Sequence, residues 1–311
     1  MSALPRLIVV LGPTASGKST LGIRLAEKLG GEILVCDSTQ VYRHFDIGTA
    51  KVPASERRGI AHHLVDLCEP AEIFTAGDYR RRALEALDDL RARKILPILT
   101  AGTGLYLRAL LEGLADAPQR SEEIRARLRQ RAEQRGPKHL HRVLARLDPE
   151  SAARISSPDT QKIIRAVELR LLTGKPMGEI HRSGREALQG YEIIKIGLLP
   201  PRAALYARIH ARTDAMLAAG WLEEVRALVA SCVPADAKPF QFIGYAQLRE
   251  HLAGLITQED AVHQIQQATR RFAKRQLTWF RKEAGVHWLP GFGDAPEIFA
   301  AAHAIAKVTI P

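Results

Sequence analysis

The sequence predicts an α/β protein: a parallel sheet flanked by helices, with an inserted all-helical domain. Three observations carry that expectation. Residues 7 to 116 alternate short apolar runs with amphipathic stretches, the pattern of strands crossed over by helices. A glycine loop, residues 12 to 19, joins the first apolar run to the first amphipathic stretch. After Pro118 the composition shifts to Arg, Glu, Gln, Ala and Leu, and no strand-like run returns until Tyr191.

The elements follow in order. Leu7 to Leu11, Ile33 to Cys36, His63 to Leu67 and Leu96 to Thr100 are apolar runs of strand length. Lys18 to Leu29 reads as a helix opened by the glycine loop, and Gly77 to Arg93 as another, with Tyr79, Ala83, Leu84, Leu87 and Leu90 on one stripe. Residues 117 to 190 form the helical insertion, so residues 1–116 and 191–311 together make the core. Tyr191 to Leu198 is the next strand. Pro200 and Pro201 start a helix that runs through Met216 and stops at Gly220. A long helix covers about Asp260 to Glu283, and Val286 to Leu289 is a short strand that closes the sheet.

The 311 residues, 46% of them apolar, suffice for a sizeable core. No apolar run approaches the roughly 20 residues of a membrane span, and the first strand runs directly into the glycine loop, so a cytoplasmic chain without a cleaved leader is expected. Cys36, Cys68 and Cys232 are odd in number and far apart, which points to buried thiols rather than a disulfide framework or a zinc site. The net charge of +11 is lopsided: residues 1 to 116 hold 15 Lys+Arg against 14 Asp+Glu, and the remainder 30 against 20. Such a field suits a polyanion such as RNA, and equally a solvated basic surface.

Gly12, Pro13, Thr14, Ala15, Ser16, Gly17, Lys18 and Ser19 fit the spacing G-x-x-x-x-G-K-[ST] between an apolar strand and an amphipathic helix, which makes the core P-loop NTPase-like. Glycines let backbone N–H groups close on phosphate oxygens, the helix N-terminus adds its positive end and Lys18 a full charge. Ser19 is placed to hold Mg2+. The loop alone leaves open whether the phosphates belong to a nucleotide or to another diphosphate.

The second strand delivers Asp37 to the carboxyl edge of the sheet, where ligands bind in this architecture. From its position Asp37 is a metal ligand, a base toward a second substrate, or a cap that opens a loop. His62 and His63 are adjacent and cannot share a strand face, so structural hydrogen bonding is expected of them rather than metal binding. The fourth strand brings Gly102, Thr103 and Gly104 to the same edge, where small residues leave room for a flat ligand.

Taken in order, G-P-T-A-S-G-K-S, D-S-T-Q-V-Y, D-I-G-T-A-K, H-H-L-V-D, F-T-A-G-D-Y and A-G-T-G-L-Y resemble the tRNA dimethylallyltransferase family, also called tRNA isopentenyltransferases. The likeness continues through Asp159 to Glu168, Arg208 to Arg212, Ile243 to Tyr245 and Lys274 to Trp279, nearly the whole chain. Ala101 and Thr39 depart from the usual residues, and the zinc finger of eukaryotic members is absent, which marks a bacterial type.

The resemblance implies transfer of a dimethylallyl group from its diphosphate to N6 of adenosine 37 in the tRNA anticodon stem-loop, with Mg2+ and release of pyrophosphate, by a monomer. It implies that Asp37 accepts the amine proton, that Lys18 and the loop clamp the leaving group, that Thr103 helps hold the base, and that Arg212, or less securely Arg208, reaches the diphosphate. For tRNA it nominates Asp37, Ser38, Thr39, Gln40 and Thr103, then Gln161, Lys162, Ile163, Ile164 and Arg165, then Phe242, Ile243, Gly244, Tyr245, Ala246 and Gln247.

Charge adds Arg125, Arg127, Arg129 and Arg131 in the insertion, and Arg270, Arg271, Lys274, Arg275, Arg281 and Lys282 on the last long helix. On that helix Phe272, Leu277 and Phe280 point to another face and are expected in the core. A P-loop kinase, a prenyltransferase of free adenine nucleotides and a non-catalytic RNA-binding switch are the rival readings. The last leaves Asp37 and Thr103 without a task.

Overall fold

The computed structural model describes residues 4–115, 117–182, 186–231 and 233–307. Two compact units result: residues 1–110 with 189–311, and residues 111–188.

The first unit is built on a six-stranded sheet in the order β3-β2-β4-β1-β5-β6, with every pairing parallel. Its strands are β1 (Arg6–Leu11), β2 (Gly31–Cys36), β3 (His62–His63), β4 (Leu96–Ala101), β5 (Glu192–Leu198) and β6 (Val286–Leu289). Apolar runs such as Leu7 to Leu11 are buried on both faces, as a parallel sheet between helical layers requires. α1 (Lys18–Leu29) and α2 (Ala76–Ala92) cross between strands, and α2 starts on a capping box in which Thr75 and Asp78 satisfy each other's backbone N–H groups. Tyr79, Ala83, Leu87 and Leu90 of the expected stripe are buried.

β3 is shorter than the apolar run suggests. Leu64 and Asp66 adopt φ values of 68° and 53°, which no strand tolerates, and the chain leaves the sheet after His63. Those turns aim Asp66 at Lys51, whose Nζ lies 2.5 Å from its carboxylate.

α3 (Gly104–Glu112) follows β4. The 111–188 unit contains α4 (Glu122–Arg135), α5 (Pro137–Leu147), α6 (Pro149–Arg154), α7 (Thr160–Thr173) and α8 (Met177–Arg182) around Leu128, Leu140, Leu144, Ile163, Ile164 and Val167. Back in the first unit, α9 (Arg202–Ala218), α10 (Trp221–Ala230), α11 (Tyr245–Leu252), α12 (Gln258–Phe280) and α13 (Pro296–Lys307) complete the chain. None of the described helices is long and apolar enough to cross a membrane. Cys36 and Cys68 are buried free thiols; Cys232 lies outside the described residues.

Candidate active site

At the carboxyl end of β1 the chain turns through residues 12 to 17 into α1. Gly17 is the N-cap with φ of 86°, and a Cβ there would lie 2.8 Å from the Gly293 nitrogen, so only glycine lets the loop fold this tightly. The opening N–H groups of α1, including those of Lys18 and Ser19, have no partner within the helix and face a prospective anion with the helix dipole behind them. Lys18 Nζ donates to the Pro13 carbonyl at 2.7 Å. Burial pulls its ammonium down to about 8; nearby Asp37 opposes that shift and Arg212 adds to it.

Arg212, on α9, donates to Thr14 Oγ1 at 3.5 Å. Desolvation works against its charge too, and Asp37 supports it. Arg208, one turn earlier, is bound to both Asp294 oxygens. Of the two arginines, Arg212 is the one not committed to an acidic partner among the described residues.

The ends of β2 and β4 are tied together. Gly102 and Thr103 both donate their N–H to the Cys36 carbonyl at 3.0 Å, and Thr103 Oγ1 accepts the Ser38 N–H at 2.9 Å. Asp37 Oδ1 accepts from the Thr39 N–H (2.9 Å) and hydroxyl (2.6 Å), closing a turn. Its Oδ2 accepts no hydrogen bond among the described residues. A Cβ on Gly102 would sit 2.6 Å from Oδ2, so this glycine is what leaves that oxygen room.

Lys18, Asp37 and Arg212 border one cleft of about 470 Å3, together with Thr14, Phe272 and Gln276. A second cavity of about 340 Å3 continues from Asp37 and Arg212 along a more apolar wall of Met216, Trp221, Phe242 and Ile265. An anion-binding cradle at one end and a carboxylate beside an apolar chamber at the other suit a substrate with a phosphorylated head and a hydrocarbon body.

Residues 40–283 match the family model described as IPP transferase. The chain belongs to the IPP transferase family. It is 51% identical to the tRNA dimethylallyltransferase of Solibacter usitatus, covering 94% of this chain and 95% of that one, and 50% identical to that of Koribacter versatilis, covering 98% and 99%. Among solved structures it is similar to the full-length tRNA isopentenylpyrophosphate transferase of Bacillus halodurans, with TM-score 0.71, 36% identity and coverage of 97% and 95%. It is also similar to a eukaryotic dimethylallyltransferase acting on tRNA, with TM-score 0.79, 26% identity and coverage of 97% and 78%.

In this IPP transferase the residues expected to meet RNA divide by exposure. Gln161 and Lys162 are exposed and Arg165 is half-buried, but Ile163 and Ile164 are 0% and 1% exposed in the helical core. A helix turns 100° per residue, so five successive side chains cannot share one surface. Tyr245 is likewise fully buried; its hydroxyl donates to Glu224 at 2.6 Å and accepts the Gly48 N–H at 3.1 Å. Gly244 is buried as well, and Gln247 caps its N–H, while Phe242, Ile243 and Ala246 are half-buried.

Arg125 is 9% exposed, with Nη1 3.0 Å from the buried Glu168 carboxylate, which neutralises its charge inside the unit; Arg127 and Arg131 are open. On α12, Arg271, Lys274 and Arg275 are exposed and Arg270 meets His210. Phe280 is in the core as expected, whereas Phe272 is not: it lines the cleft, with the Arg275 guanidinium 5.7 Å from its ring centre.

His62 and His63 make structural hydrogen bonds, to the Ile60 carbonyl at 2.9 Å and to Glu32 at 2.7 Å. Gln40 Nε2 donates to the Thr49 carbonyl at 3.0 Å, holding the D-I-G-T-A-K loop against the site.

The roles of two residues in and around the site were not legible in the sequence. Glu224 accepts the N–H groups of Asp46 and Ile47 at 3.0 and 2.8 Å besides the Tyr245 hydroxyl. Gln276 bridges Thr14 and Gly102. Glu224 lies outside the stretches that carry the resemblance, and Gln276 lies in the Lys274 to Trp279 stretch without a role of its own there, because what each does depends on partners far along the chain.

No group of three or more His, Cys, Asp or Glu able to hold a metal occurs among the described residues. Mg2+ does not need one, since it keeps several waters and takes one or two protein oxygens plus substrate phosphates. The Ser19 side chain and Asp37 border the same cleft and fit that modest requirement.

Proposed function

We propose that this chain transfers the dimethylallyl group of dimethylallyl diphosphate to N6 of adenosine 37 in tRNA, releasing pyrophosphate. The observation that carries the reading is the meeting of Lys18, Arg212 and Asp37 in a single cleft, with Thr103 tying the Asp37 turn to β4. We read the parallel sheet with its glycine loop as P-loop NTPase-like, used here to grip a leaving group rather than to split a nucleotide.

The diphosphate lies on residues 12 to 19. As C1–O ionises, negative charge grows on the departing pyrophosphate, and Lys18, Arg212 and the α1 N-terminus stabilise that growth at fixed positions. The N6–C1 bond forms while the C1–O bond breaks, and the N6 proton passes to Asp37 Oδ2, the oxygen not used in the turn. Adenine N6 is a weak nucleophile, because its lone pair is delocalised, so acceptance of its proton has a clear value. Mg2+, held by Ser19 and the diphosphate, would supply additional charge to the leaving group.

To reach Asp37 the base leaves its stack in the anticodon loop, at modest cost in a single strand. Thr103, Ser38, Thr39 and Gln40 receive it. Phosphates meet Arg271, Lys274 and Arg275 on α12 and the exposed Gln161 and Lys162 of the helical unit, which contacts tRNA. The protein acts as a cytoplasmic monomer.

The experiment is direct: incubate the protein with Mg2+, dimethylallyl diphosphate and unmodified tRNA, and look for prenylated adenosine by nucleoside mass analysis. Turnover of ATP in place of dimethylallyl diphosphate would overturn the reading in favour of a kinase.

A further inference from the structure

The Gln276 side chain is 6% exposed and makes two hydrogen bonds across the site. Its Oε1 accepts the Thr14 N–H at 2.7 Å, in the diphosphate loop, and its Nε2 donates to the Gly102 carbonyl at 2.7 Å, at the end of β4. These two backbone groups lie past the carboxyl ends of adjacent parallel strands, β1 and β4, whose ladder ends at Leu11 and Ala101. Beyond those residues no strand pairing fixes the separation of the loop from the Gly102–Thr103 turn. Gln276 is the side chain that spans the gap.

A primary amide supplies an acceptor and a donor at this reach without a charge at any pH, and a charge here would face Asp37, which borders the same cleft. Thr14 is also where Arg212 is anchored, through its hydroxyl. Gly102 is the residue whose bareness makes room for Asp37 Oδ2. One side chain therefore touches the backbone beside each half of the reaction, the leaving-group cradle and the carboxylate.

We propose that Gln276 is a positioning residue that fixes the distance between the diphosphate cradle and Asp37. This inference rests on the prenyl-transfer reading of the same cleft. Placement errors of about 1 Å cost such reactions on the order of 10²-fold in rate, because the reacting atoms must be held in line. The effect belongs to the chemical step. Gln276 sits on α12 behind Phe272, one turn on and on the same helix face, and both border the cleft. The cations of that helix that stand exposed are Arg271, Lys274 and Arg275.

The test compares wild type with Gln276→Met, which keeps the length of the side chain and loses both hydrogen bonds, and Gln276→Glu. For Gln276→Met the expected result is a fall in kcat of at least about tenfold with the KM for tRNA within about threefold, and pyrophosphate binding by calorimetry weakened. Unchanged kcat, or a loss confined to the tRNA KM, would overturn the proposal; the latter would make Gln276 an RNA contact.

Gln276→Glu distinguishes positioning from mere packing. Its ionised carboxylate still accepts from Thr14 but cannot donate to Gly102, whereas the protonated acid does both. Its rate relative to wild type should therefore rise as pH falls through the titration of the new carboxyl, which burial and Asp37 raise and Lys18 and Arg212 of the same cleft lower. A ratio flat across that titration, followed in the variant itself, overturns the proposal, and this arm decides if Gln276→Met does not fold. If wild type itself forms no prenylated adenosine, the functional reading fails. Pyrophosphate affinity of the two variants then judges Gln276 by itself: weakened binding upholds its hold on the cradle, and unchanged binding removes it.

Discussion

Asp37 and Thr39 share a turn in which only one carboxylate oxygen is used: Oδ1 accepts both the Thr39 N–H and its hydroxyl, at 2.9 and 2.6 Å. The turn therefore occupies Oδ1 and leaves Oδ2 available for the role as base proposed for this side chain.

That division makes Asp37→Asn informative. The amide oxygen can keep the Thr39 turn, so the melting temperature should stay within a few degrees, while kcat drops by about 10² to 10⁴, the range for a positioned general base. Measured across a Mg2+ titration, activity restored to near wild type by excess metal would instead identify Asp37 as a metal ligand and falsify its role as base.

Lys18→Ala removes the cation nearest the loop and should lower kcat by about 10²-fold, as with other electrostatic stabilisers of developing charge. Steady-state kinetics with saturating tRNA measure this, and a near-normal kcat removes Lys18 from the clamp.

The same lysine gives a pH signature. Burial lowers its folded-state pKa from 10.5 to about 8, so above pH 8 the empty site loses the cation proposed to hold the diphosphate. Binding of pyrophosphate must then take up a proton, and affinity declines as pH rises through about 8; below that pH the proton is already in place and contributes no slope. Calorimetry in buffers of different ionisation heat reads the uptake directly, and in Lys18→Met it should vanish.

Exposed cations on α12 should make tRNA affinity fall steeply with salt. Arg271→Ala and Arg275→Ala should each weaken binding and reduce the slope of log affinity against log salt by roughly one contact's share. A slope unaltered in both variants would show these side chains to be solvated surface.

Glu224 predicts a stability effect away from the chemistry. It accepts the N–H groups of Asp46, Ile47 and, at longer range, Gly48, and the Tyr245 hydroxyl, so Glu224→Ala should cost about 2 kcal/mol or more, since hydrogen bonds to a charged acceptor are among the stronger ones. Urea unfolding checks it. Phe45 packs on Tyr245 with ring centres 4.8 Å apart, so the loss should also loosen the apolar cluster around them.

The sequence by itself determined whatever depends on near neighbours in the chain. The strand, glycine loop and helix from Arg6 to Leu29 form where the pattern puts them, because apolar periodicity, a left-handed Gly17 and the first turn of α1 are local properties. The same holds for the parallel sheet and for Asp37 at a strand's end.

Tertiary structure alone decided the rest. Gln276 and Thr14 are 262 residues apart, and Glu224 and Ile47 are 177 apart, so no spacing rule links them. Arg125 reads as a surface cation until Glu168 is found buried beside it, and Ile163 with Ile164 read as contacts until α7 turns them inward. β3 stops after His63, where the chain turns and Asp66 meets Lys51, whose side chain, 5% exposed, also bonds Asp46 and the Tyr42 carbonyl. A buried charge needs partners on every side, and only the folded chain says which residues those are.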